Sequence, residues 1–226
     1  GDADLMPRYS QVFLADKARQ TAKADPAAEA WQKRMNLPAS TSSDTNPNYV
    51  VTALNAATGK VAWQRQMDLT GCVSGTHWSA LATMVHNGVL VIFGVYTDGH
   101  YWKDFFSGQF DSRRVLALSG RDGHELWSRR IGYRVRPLII GDTLHAEPWC
   151  FKLASGEQIQ RTNPITGNEE PWQFARPGHH CGCPSASLTC MFFRSYNIGY
   201  YDLLQDSGSV HFGAQRSGCW INSIFG

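Results

Sequence analysis

Two stretches of this chain spell one frame: ALNAATGKVAW at Ala53–Trp63 and ALSGRDGHELW at Ala117–Trp127, 64 positions apart. Both read Ala-Leu, three variable residues, Thr or Asp, Gly, three more residues and Trp. Thr58-Gly59 and Asp122-Gly123 are turn signals, because Gly takes the positive φ that a tight reversal demands. The residues after each turn alternate, Val61 and Trp63 on one face against Ala62 and Gln64, then Glu125 and Trp127 against Leu126 and Ser128. Each copy therefore predicts a β-hairpin with a Trp on its returning strand. A lone hairpin is only marginally stable in water, so the two should belong to larger sheets.

Working outward, two weaker copies appear. Phe151–Gln160 keeps the Leu and the Gly but has Gln160 in the Trp position, and GYYDLLQDSGSVHF near the C-terminus repeats strand, polar Gly turn and strand. Short apolar strands entered by turns lie between them, at His86–Val95, Arg136–Trp149 and Leu188–Ser195. Four-stranded units in series, each closing on a Gly-turn hairpin, predict an all-β β-propeller of about four blades. One helix is expected at Asp16–Met35, within an insertion at 16–48, and a polar loop insertion at 96–114 explains the long spacing of the two full copies. No second domain is expected within 1–226. A closed propeller takes about 4–8 blades. Four with ragged ends, the last running out on CWINSIFG, reads as a fragment of a larger ring, with a small complete all-β domain as the alternative.

Composition agrees with an all-β reading and narrows the partners. The chain is 42% hydrophobic, 18% charged and 12% aromatic, with 21 Gly and a net charge of +2. It has no basic run or basic helix to hold nucleic acid and no apolar run of membrane-spanning length. GDADLMPRYS lacks the layout of a signal peptide.

The hairpin frame resembles the repeat of the pyrroloquinoline-quinone-like (PQQ-like) β-propeller superfamily, with Asn55 and Ser119 where that repeat usually carries Asp. The C-terminal stretch EPWQFARPGHHCGCPSAS…FFRSYNIGYYDL resembles the closing section of uncharacterised bacterial propeller proteins of that superfamily. The resemblance implies an extracytoplasmic protein. It also implies one of two roles: a quinone-dependent dehydrogenase holding the quinone with calcium, or a non-enzymatic scaffold of the kind found in outer-membrane barrel assembly. The dehydrogenases stack their quinone on adjacent cysteines. This chain has no Cys-Cys pair, and Cys181-Gly-Cys183 carries one residue too many.

The residues with most chemistry cluster in HHCGCP, His179–Pro184. His179, His180, Cys181 and Cys183, with Cys190 or Cys219, offer soft and borderline ligands for zinc or copper, although Cys-x-Cys is tighter than the usual zinc spacing. The same cysteines also read as inert thiols or as a disulfide between Cys181 or Cys183 and Cys219. Cys72 and His77 form a second nucleophile–base candidate, or a plain Gly-rich loop. His145 and Glu147 alternate in LHAEPW and, with Arg134 and Arg136, would line a ligand mouth; the competing reading is a solvated strand end. Tyr101 and Trp102, in the polar insertion, are expected as exposed aromatics able to stack on a sugar or a protein partner. Trp63 and Trp127 are expected to pack between blades. GxSxG, Walker, GxGxxG and HExxH motifs are missing from the sequence, and a glycosidase carboxylate pair is recognised by distance rather than spacing. The function expected is a binding or assembly scaffold for a protein or carbohydrate, with no cofactor. A quinone-dependent or carbohydrate-active enzyme, or a metal-binding redox protein, is the alternative.

Overall fold

The computed structural model describes residues 48–72, 80–96, 101–163, 165–177, 180–206, 208–213 and 218. The expected helix at Asp16–Met35 lies outside them.

The described chain is a succession of antiparallel sheets. The first holds β1 (Asn48–Leu54) and β2 (Val61–Asp68). The second runs in chain order through β3 (Ala80–His86), β4 (Val89–Val95), β5 (Arg114–Ser119) and β6 (Glu125–Arg130). The third holds β7 (Leu138–Ile140), β8 (Thr143–Ala146) and β9 (Trp149–Lys152). The hairpin β10 (Gln160–Thr162) and β11 (Glu169–Pro171) stands apart. The last sheet has β12 (Ser185–Ala186), β13 (Cys190–Ser195), β14 (Asn197–Asp202) and β15 (Ser209–His211). Four-stranded meanders of this kind, following one another along the chain, are propeller blades. A five-residue helix, α1 (Trp102–Phe106), occupies the insertion between β4 and β5.

Both full copies of the frame form the outer hairpin of a blade, and each residue type in the frame has a reason. Asn55 Oδ1 accepts from the amides of Ala57 and Thr58, closing the turn locally. Asn163 and Asp202 do the same in their own turns. A register shift falls at the same place in both copies, between Ala53 and Leu54 and between Ala117 and Leu118. It sets Trp63 opposite Ala53 and Trp127 opposite Ala117, so a small residue faces each large ring.

Each Trp then crosses to the next blade. Trp63 Nε1 donates to the carbonyl of Gly120 at 2.9 Å, and its ring lies where a Cβ on Gly123 would stand, 2.6 Å away. Trp127 repeats this one blade on, donating to Leu153 O at 2.8 Å and covering Gly156 at 2.6 Å. Gly123 and Gly156 have φ of +73° and +67°, so the turn geometry and the ring contact both call for glycine.

The third seam has the same logic in a different spelling. The outer strand of the third blade pairs Gln158 with Phe151, breaks off after Ile159, and resumes with Gln173 opposite Trp149. The β10–β11 hairpin fills the gap, and its connection carries Thr166-Gly167, the frame's own Thr-Gly signal. Gln160 therefore does not stand in for the missing Trp. Trp172, carried past the hairpin, donates to Asp206 Oδ1 at 3.1 Å and packs edge-on against Tyr201. Asp206 takes positive φ at the turn position where Gly stands in the other copies. Tyr201 also donates to Asp206, and Arg161 pairs with it across the seam.

Burial follows these seams. Trp63 buries with Leu69, Ile92, Leu116 and Leu118 between the first two blades. Val91, Phe93, Val115 and Trp127 meet Leu144, Phe151 and Leu153 between the second and third. Ile140 and Phe174 meet Met191, Phe193 and Tyr201 between the third and fourth. Replacing Trp127 by Ala removes both the ring and its hydrogen bond, and should cost about 3–5 kcal/mol. Trp172→Ala should cost less, because that ring is half-buried; urea unfolding followed by circular dichroism measures both.

Candidate functional site

The functional candidates collect where α1, the β8–β9 turn and the 174–184 segment meet. Strand β8 ends at Ala146, and Glu147-Pro148 forms the turn into β9 through a cis peptide bond. Glu147 therefore does not continue the alternation expected of it with His145. It is also not solvated, being 5% exposed.

Its carboxylate is clasped by two arginines. Arg176 donates through Nε to Oε1 at 3.1 Å and through Nη2 to Oε2 at 2.7 Å, and its backbone amide adds a bond to Oε1. Arg134 donates through Nη1 to Oε1 at 3.2 Å. Both guanidiniums are wholly buried. Arg176 also donates to Gly182 O at 2.9 Å, and the Arg134 amide donates to Glu147 O at 2.9 Å, so the clasp ties three chain segments together. Burial alone would raise the Glu147 pKa, but the adjacent guanidiniums, Arg176 foremost, hold it below its ordinary value. Burial draws Arg134 down to about 10, leaving it charged at neutral pH.

Trp102 covers the clasp. Its ring lies 3.7 Å from the Arg134 guanidinium carbon, and its Nε1 donates to Arg176 O at 3.0 Å. The expectation of a ring free to stack on a ligand does not hold for Trp102, because its face and its donor are already used. Tyr101 is 50% exposed, with Lys103 over its ring, and Phe106, at the other end of α1, is 78% exposed.

His145 points to the opposite seam. Its ring meets the edge of Trp172, with ring centroids 5.4 Å apart, and lies 3.6 Å from Cys150 Sγ. Burial lowers the His145 pKa to about 4 and raises the Cys150 thiol to about 12. At neutral pH both are uncharged, so they do not make a thiolate–imidazolium pair. Arg136, His145, Glu147 and Trp149 share a cleft of about 10 Å³, room for one water. A ligand pocket for a drug-sized molecule is typically about 300–1,000 Å³.

The described members of the metal-ligand set, His180, Cys181, Cys183 and Cys190, do not form a three-ligand cluster. Cys181 Sγ accepts from Arg194 Nη1 at 2.7 Å, the buried His180 ring packs on Trp102, and Cys190 lies on β13 beside Met191 O. Burial raises the thiols of Cys183 and Cys190. Among the described residues no three His, Cys, Asp or Glu side chains converge as a metal site. Cys72, Cys150, Cys183 and Cys190 are free thiols. His77, His179 and Cys219, with the expected Cys219 disulfide, lie outside the described residues. Among the described residues no group of carboxylates is placed to hold a quinone's calcium either. Glu147 is the one buried carboxylate among the described residues, and its oxygens are taken.

Arg176 and Arg194 were not among the sequence candidates. A signal existed: both stand in apolar settings, FARP and MFFRS, where a charge must be partnered if it is buried.

Glu147→Gln leaves two buried guanidiniums without a countercharge and should cost about 3–5 kcal/mol. The pH dependence has two windows. His145 is lowered on folding, so stability should fall as pH drops from 6.5 towards about 4 and then level off for that group. Glu147 is also lowered, and its contribution should disappear only as pH falls below the ordinary carboxyl value of 4.5. Thermal melts of the wild type, His145→Leu and Glu147→Gln between pH 7 and 3 separate the two.

No known family profile matches the chain, and no curated protein matches it. Among solved structures, BamB from Moraxella catarrhalis is similar at 13% identity and a TM-score of 0.37, over 72% of this chain and 48% of that one. A europium-containing methanol dehydrogenase is similar at 14% identity and a TM-score of 0.36, over 66% of this chain and 32% of that one. The chain thus spans about half the length of the first and a third of the second. Its own repeated hairpins, meander sheets and Trp-to-turn seams make it a run of β-propeller blades.

Proposed function

We propose that this chain is a non-catalytic propeller module that works outside the cytoplasm as a binding or assembly scaffold. The observation that carries this reading is the Glu147 clasp. The carboxylate best buried to act as a general base is instead a depressed-pKa counterion for Arg134 and Arg176. The Cys150–His145 pair is neutral on both sides, and the cleft beside them is water-sized. Polar groups arranged in this way hold loops in place rather than leave reactive atoms open to a substrate.

The extracytoplasmic placement rests on the resemblance of the repeat, and no helix among the described residues is long and apolar enough to cross a membrane. Binding falls to the rim, where α1 presents Tyr101 and Phe106 on a base held by Trp102 and the clasp. A protein partner suits these exposed rings, since aromatics are enriched in interface cores.

Incubating the purified chain with pyrroloquinoline quinone and calcium should give no bound visible chromophore and no alcohol-dependent dye reduction. Polysaccharide substrates should likewise release no new reducing or unsaturated ends. Turnover in either assay that is lost in Glu147→Gln or His145→Ala would overturn the scaffold reading.

A further inference from the structure

The Cys181-Gly182-Cys183 turn gathers arginines. Cys181 Sγ accepts from Arg194 Nη1, Gly182 O accepts from Arg176 Nη1, and Cys183 Sγ accepts from the backbone amide of Arg136. Gly182 takes φ of +74°, so the residue between the two cysteines has to be one that adopts the left-handed region easily.

Most of the guanidiniums in this cluster are spent inside the protein. Arg134 and Arg176 share Glu147, Arg194 bonds Cys181, and Arg113 donates to the carbonyls of Tyr133 and Arg134. Arg136 differs. It is half-buried, and among the described residues no acceptor reaches its guanidinium. It lines the small cleft with Trp149, Phe174 and Pro184, where the carboxylate of Glu147 is already taken. Arg113, Arg134, Arg136, Arg176 and Arg194 outnumber the carboxylates beside them, Glu147, Asp104 and Asp111. The local field is therefore positive, and apolar walls strengthen it at the cleft.

The cleft has room for one water, so an anionic group meets Arg136 at the mouth and the remaining contact comes from the surface around it. Trp149 links the mouth to that surface. It walls the cleft and meets Phe105, with ring centroids 6.2 Å apart, and Phe105 meets the exposed Phe106 of α1. Arginine and aromatic side chains are the residues that carry most binding energy at protein interfaces. We infer that Arg136 and α1 form one docking surface for an acidic protein segment, whose carboxylate bonds the Arg136 guanidinium while an apolar neighbour packs on Phe106. This rests on the scaffold reading and names the chemistry of its partner.

Selection of random linear peptides displayed on phage against the purified chain tests it. Enriched peptides should carry Asp or Glu next to an aromatic or aliphatic residue. By fluorescence anisotropy, a labelled synthetic copy should bind at least about tenfold more weakly to Arg136→Ala, with far-UV circular dichroism unchanged. Replacing the peptide's acid by its amide tests the same contact without altering the chain and should cost as much. Phe106→Ser should also weaken binding, and Arg136→Glu should turn the selection towards Lys and Arg. The inference is overturned by a wild type that enriches nothing, by enriched peptides without acids, or by binding indifferent to the amide peptide and to folded Arg136→Ala. Displacement of the peptide by micromolar citrate overturns it as well, since the site would then serve a small carboxylate. None of these outcomes involves turnover, so the scaffold reading fails separately, by catalysis.

Discussion

The structure depends on one contact, an indole laid across the turn of the following blade. It is a hydrogen bond and a close packing at once, since the Nε1–H of Trp63 or Trp127 reaches a turn carbonyl while the ring rests on a glycine Cα. The glycine is needed twice, for its positive φ and for its missing side chain. Burying an indole removes about 150–250 Å² from water, worth about 4–6 kcal/mol before entropy losses. Each blade therefore gains much of its stability from its neighbour rather than from its own short strands. That is the energetic logic of a repeat protein, in which a unit cannot bury its apolar face alone.

The third seam separates what this contact requires from what it merely uses. The β10–β11 hairpin interrupts the outer strand, which should abolish the docking, yet Trp172 arrives by another route and bonds Asp206. With Asp in the glycine position, the indole uses the side-chain carboxylate instead of a bare Cα. The requirement is an indole donor meeting an acceptor at the next turn, and the eleven-residue spelling is one solution to it.

A second, polar constraint sits beside this apolar one. Arg134, Arg176 and Glu147 are removed from water together, and the cost is tolerable only because the carboxylate accepts from both guanidiniums with bidentate geometry on one side. Trp102 adds its ring face and its donor. The result fixes α1, the β8–β9 turn and the 174–184 segment relative to one another. A group that does this work well is unsuited to proton transfer, because the charges that anchor Glu147 also depress its pKa.

By itself the sequence determined the hairpin, its turn and the Trp at the seam, because these depend on local chemistry: a Gly able to take positive φ, an Asn or Asp closing its own turn, and strand alternation. The all-β class and the serial blades followed from the repetition of that local unit. Only the tertiary structure decided the rest. Gln160 was displaced by Trp172 because strand pairing, not spacing, selects the partner across a seam. Glu147 left its strand at Pro148 and met Arg176, 29 residues away, a pairing that no window of sequence contains. Trp102 looked like a surface aromatic in a polar loop until the fold set Arg134 beneath it. Local rules reach a few residues along the chain, whereas buried charges are matched through space, and there the fold alone chooses the partner.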